Sequence, residues 1–108
     1  YSTYFDRRDA NPRFVRKPRN QNVTEGQTAS FSCIILAISP PVVTWYQGGN
    51  EIRQSVKYMK KYNNNSYILE VKRCTLDDKG EFIVKAVNSY GEREYNVFLN
   101  VERNNFLK

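Results

Sequence analysis

Few residues in this 108-residue chain have types that could do chemistry. Histidine is absent, which removes most catalytic triads, most zinc sites and the usual general base of neutral pH. Two cysteines, Cys33 and Cys74, could form one bridge or stand as separate thiols. Asp77 and Asp78 are adjacent carboxylates. Acid–base work across a substrate needs two carboxyls with separate environments, which neighbours in a turn do not provide. Gly48–Gly49 lacks the Lys-Ser/Thr and helix start of a phosphate cradle, and no acidic run has the spacing of a calcium loop. The sequence therefore predicts no enzyme, no catalytic residue, no cofactor, no metal ligand and no small-molecule substrate.

Charge is the remaining chemical feature. The chain carries 17 Lys+Arg against 11 Asp+Glu, a net +6. Four of those six units belong to residues 1–22, where Arg7, Arg8, Arg13, Arg16, Lys17 and Arg19 face only Asp6 and Asp9. A nucleic-acid binder more often spreads its basic residues over a groove with interleaved aromatics. Such a module, using the basic N-terminal arm, stays as an alternative reading. In the body, Lys57-Tyr58-Met59-Lys60-Lys61-Tyr62 is the most basic stretch. Its lysines discourage edge-to-edge strand pairing or else form a patch for an acidic partner. Lys57, Lys60 and Lys61, with Arg7 and Arg8, are the candidate partner-binding residues.

The elements that would position these groups are strands. Ala29, Phe31, Cys33 and Ile35 alternate with Ser30, Ser32 and Ile34, the period of a half-buried strand. The same period runs through Val43 and Trp45, through Tyr67, Leu69 and Val71, through Phe82, Val84 and Ala86, and from Tyr95 to Val101. Turn residues separate the runs: Glu25–Gly26, Gly48–Gly49–Asn50, Asn63–Asn65, Asp77–Gly80 and Asn88–Gly91. Seven or eight short strands with no helical stripe predict an all-β antiparallel sandwich. No apolar run approaches the 18 or so residues of a membrane span, and no secretory leader is visible.

In order and at these spacings, the chain resembles an immunoglobulin domain of the intermediate (I) set from Pro12 to Val101. The resemblance rests on Pro12-x-Phe14, Pro18, Val23-x-Glu25-Gly26, Phe31-x-Cys33, Pro41-x-Val43-x-Trp45, Tyr67-x-Leu69-x-Val71 and Asp78-x-Gly80-x-Phe82-x-Val84-x-Ala86-x-Asn88-x-x-Gly91. It implies an immunoglobulin-like β-sandwich of two antiparallel sheets, with Cys33, Trp45, Leu69, Phe82 and Val84 in the core. Asp78, Gly80, Asn88 and Gly91 would shape turns, with Asn88 and Gly91 both of types that tolerate positive φ. Residues 1–11 would be a linker or arm, 12–103 the domain and 104–108 the start of the next linker. Two departures matter. Val84 stands where the family places the second inter-sheet cysteine, so Cys33 and Cys74 are expected as thiols with no inter-sheet disulfide. Phe82 replaces the usual corner tyrosine.

Domains of this set without the bridge resemble modules of the giant muscle proteins, the titin and twitchin group. That implies a non-catalytic structural and interaction module in a cytoplasmic sarcomeric array, contributing to scaffolding and elasticity in the A-band or M-band or beside a Ser/Thr kinase domain. Its partners would be neighbouring immunoglobulin or fibronectin-type modules and other sarcomeric proteins, with no membrane, and the isolated domain would be monomeric. The alternative within the same fold is an extracellular adhesion or receptor module. Asn22-Val23-Thr24 and Asn64-Asn65-Ser66 would then be glycosylation sites.

Overall fold

A computed structural model of the chain describes residues 10–106. Nine strands form where the sequence predicts seven or eight, five of them (β3, β4, β7, β8 and β9) on the predicted alternation: β1 (Arg13–Arg16), β2 (Gln21–Thr24), β3 (Ala29–Leu36), β4 (Val42–Gln47), β5 (Asn50–Glu51), β6 (Tyr58–Asn63), β7 (Ser66–Val71), β8 (Gly80–Asn88) and β9 (Gly91–Glu102). A single 3-10 turn, Leu76–Asp78, is the only helical element among the described residues. The strands form a four-stranded sheet, β1-β3-β7-β6, packed on a five-stranded one, β2-β9-β8-β4-β5.

The segment before Gly26 forms two separate strands, β1 and β2. Pro18 interrupts it, since a proline has no N–H to give a ladder. The chain crosses there from one sheet to the other, so β1 pairs with β3 and β2 pairs with β9. The β2–β9 pair runs parallel, from Gln21 beside Leu99 to Thr24 beside Glu102, and every other pair is antiparallel. Side chains extend this parallel ladder. Asn100 Nδ2 donates to Asn22 Oδ1 at 2.9 Å, and Asn22 Nδ2 donates to Glu102 Oε2 at 3.3 Å. At Asn63–Ser66 a tight hairpin joins β6 to β7, with Asn64 at φ 49° and Asn65 at φ 69°. Two successive left-handed residues fit a turn whose twist matches the strands it joins.

The core lies between the sheets. Phe31, Cys33, Ile35, Leu69 and Val71 from the four-stranded sheet meet Trp45, Phe82, Val84, Ala86, Val97 and Val101 from the other, all buried. Trp45 is the cross-strand neighbour of Val84 and stacks on Phe31, with ring centroids 6.4 Å apart. Phe31 also meets the Phe82 ring at 5.2 Å, so three aromatic rings join the sheets. Phe82 is wholly buried in this cluster, where the missing tyrosine hydroxyl leaves no polar atom to satisfy. Cys33 and Cys74 are both buried thiols with no bridge. Val84→Cys is expected to restore an inter-sheet bridge to Cys33 on oxidation. Closing a loop of about 50 residues stabilises by about 4 kcal/mol in the chain-entropy account, read as a higher urea midpoint that reductant abolishes.

Candidate functional site: the strand edge and the N-terminal pole

The basic stretch is divided among three different tasks. Lys57 turns into the domain, where its Nζ donates to Asp78 Oδ2 at 2.6 Å and to the Arg73 carbonyl at 3.0 Å. Asp78 is the one buried charged side chain among the described residues, and its Oδ2 also accepts the Thr75 N–H at 2.7 Å. A buried carboxylate needs a countercharge as well as hydrogen bonds, and Lys57 supplies it from the loop that leads into β6. Arg73 sits at φ 48°, a left-handed conformation rare for such a residue. The Lys57 ammonium on its carbonyl and the Gln27–Cys74 backbone bond at 2.9 Å hold it there. The sequence indicated that Asp78 would bond a turn amide, but the distant Lys57 left no local signal.

Lys60 and Lys61 lie on β6, which is an edge strand of its sheet. Lys61 points outward and pairs with Glu70 at 3.2 Å. Lys60 shares the inward register with Tyr58 and Tyr62, opposite Leu69, and lines a shallow groove of about 200 Å³ with Val43 and Trp45. An inward-pointing charge on an edge blocks the approach of another strand. The Lys60 N–H is also taken, by Gln54 Oε1 at 2.7 Å. The three lysines thus form no single patch. Arg7 and Arg8 lie outside the described residues.

Asn88 organises the opposite end of the sandwich. Its Oδ1 accepts the N–H groups of Tyr90 (2.9 Å) and Gly91 (3.1 Å), closing the β8–β9 turn. Its Nδ2 donates to the carbonyls of Ala10 and Ser39, each at 3.2 Å. One side chain therefore ties the start of the described chain to the β3–β4 loop and the last hairpin. Its role differs from the sequence reading: the residue uses its amide, and its φ is not among the positive ones. A Cβ at Gly91 would meet the tip of the Asn11 side chain, which would have to swing aside. Gly80 is needed for conformation, with φ 139° and open space around it.

Burial pushes the Cys33 thiol from 9.0 up to about 12 and also raises that of Cys74, so neither is a nucleophile at neutral pH. Tyr58 is raised by burial first and then by the Asp78 charge, and its hydroxyl meets Gln47 Oε1 at 2.9 Å. Among the described residues no group of three His, Cys, Asp or Glu side chains converges to hold a metal. No helix among the described residues is long and apolar enough to cross a membrane.

Residues 12–101 match the family of the immunoglobulin I-set domain. The chain belongs to that family. This I-set domain is 55% identical to a twitchin kinase fragment from C. elegans that comprises an autoregulated protein kinase and immunoglobulin domains, with a TM-score of 0.86 over 93% of this chain and 22% of that one. It is 28% identical to the titin M10–obscurin-like 1 complex, with a TM-score of 0.83 over 86% of this chain and 94% of that chain. Human hemicentin-1 is 34% identical over 80 residues, which is 74% of this chain and 1% of hemicentin-1. The I-set domain thus spans a small part of hemicentin-1 and of the twitchin kinase fragment.

Two outcomes follow from this geometry. The Cys33 thiol is held neutral in the fold, so its contribution is complete below about pH 9 and lost as pH rises towards 12, at up to about 1.4 kcal/mol per pH unit. Urea titrations should show that decline, shallower in Cys33→Ala, and Ellman's reagent at neutral pH should find both thiols only after unfolding. Asn88→Asp keeps the turn acceptors and loses both donors, leaving the buried Ala10 carbonyl facing a carboxylate. A loss of about 1–3 kcal/mol is expected, with faster amide exchange near residues 10–12 and the β8–β9 hairpin intact.

Proposed function

We propose that this domain is a structural and interaction module of a giant sarcomeric protein of the titin and twitchin kind, lying in the muscle cytoplasm beside a Ser/Thr kinase region. The observation that carries this reading is the 55% identity to the twitchin kinase fragment, about twice the 27% identity to the titin M3 domain of the same fold. The domain itself does no chemistry, and any kinase activity belongs elsewhere in the parent chain. Two buried thiols at their ordinary oxidation state suit a reducing compartment, where Val84 beside Trp45 fills the volume a bridge would take. Mechanical continuity is supported by β2 and β9, which lie side by side near the two ends of the fold. Contacts with other proteins are supported by the titin M10 domain, which is found in a complex with obscurin-like 1.

A second reading, an extracellular module, draws on the 34% identity to hemicentin-1. Its sugar-acceptor Asn22 is engaged with Asn100 and Glu102, so a glycan there would break the ladder side chains of β2 and β9. An antibody against this domain should stain regular striations in permeabilised muscle and leave intact cells unstained. Staining of intact cell surfaces would overturn the sarcomeric reading in favour of the extracellular one.

A further inference from the structure

The two ends of the sandwich differ in chemistry. At the end braced by Lys57 and Asp78, residues 72–80 carry Lys72, Arg73, Asp77, Asp78 and Lys79. At the N-terminal pole the three connections, residues 36–42, 63–66 and 87–91, contain no Asp, Glu, Lys or Arg. That pole instead exposes Leu36, Ile38, Val42, Val87 and Tyr90, each between 37% and 69% accessible. Five of the ten large apolar side chains left exposed among the described residues thus gather at one end. A clustered apolar surface on a small domain marks a place where something binds. Beside it lies a groove of about 410 Å³, walled by Pro40, Pro41, Tyr62 and Tyr67.

The chain itself leads to this surface. Asn88 fixes the Ala10 carbonyl at the pole, and Ala10 and Pro12 are buried there. The segment just before Ala10 carries three aromatic residues in five positions, Tyr1, Tyr4 and Phe5. Phe5 stands five residues from the fixed point, a reach of at most about 17 Å, which is less than the 20 Å and 25 Å short dimensions of the chain. Tethering at that length gives an effective concentration of about millimolar, so even a weak contact is populated.

We propose that the N-terminal pole is the docking surface for the aromatic segment Tyr1–Phe5 of this same chain, with one of its rings in the groove between Pro40–Pro41 and Tyr62. The docked arm covers the exposed apolar side chains and fixes the direction from which the preceding polypeptide approaches the domain. This goes beyond the sarcomeric reading and does not depend on it.

The test compares the 1–108 chain with Tyr4→Ser/Phe5→Ser and, separately, with Ile38→Asp, an exposed position whose change leaves the core intact. In the unaltered chain trypsin should cut at Arg7 and Arg8 several-fold more slowly than in either variant. The methyl resonances of Ile38, Val42 and Val87 should shift in the serine variant while those of the core stay in place. Equal cleavage in all three chains, with unmoved methyl resonances, would overturn the proposal. Methyl shifts that vary with protein concentration, with a dimer on ultracentrifugation, would overturn it in favour of a second copy.

Discussion

The packing of Trp45 between the sheets is the interaction on which the rest of this structure depends. Its neighbours are Val84 across the strand pair and Phe31 from the opposite sheet, and Phe31 carries the contact on to Phe82. No covalent bond joins the sheets at this level, so shape complementarity must do the work alone. Each strand keeps its register because a slip by one residue would send every core side chain to solvent. The loops and poles are positioned only because that register is fixed. Even the Asn88 amide, far from Trp45, finds Ala10 and Ser39 because β4 and β8 are locked beside each other.

Alternation made most strands legible. Residues such as Phe31, Cys33, Leu69 and Val97 are buried for the same reason that their neighbours Ser30, Ser32 and Asn96 are polar. Pro18 could be read as a break in a strand, yet the move to the other sheet and the parallel pairing with β9 depend on a partner about 80 residues away. Likewise the Phe31–Trp45 stack joins two strands from different sheets, and no local period encodes which ring meets which.

The surfaces were harder to read because charge says nothing of where a side chain turns. Lys57, Lys60 and Lys61 look alike in sequence, but one neutralises a buried aspartate, one points inward at an edge and one pairs with Glu70. Their fates are set by the strand period and by Asp78, a residue 21 positions from Lys57. Asn88 shows the reverse case. Its residue type suggested backbone freedom, while its value lies in an amide that can donate and accept at once.

The parallel pairing of β2 with β9 has a consequence for how the domain answers tension. A pull on β2 from its first residue against β9 from its last would drag these strands past each other along their length. All the rungs from Gln21–Leu99 to Thr24–Glu102 are then loaded together in shear. In an antiparallel hairpin such as β8–β9 the same pull at adjacent ends would open the rungs one after another, like a zipper. Asn22 bonds to both Asn100 and Glu102, so it adds cross-links that must yield in the same step. β2 and β9 are therefore the pair in which a load along both strands is shared by every rung at once, while β1 before them pairs antiparallel with β3.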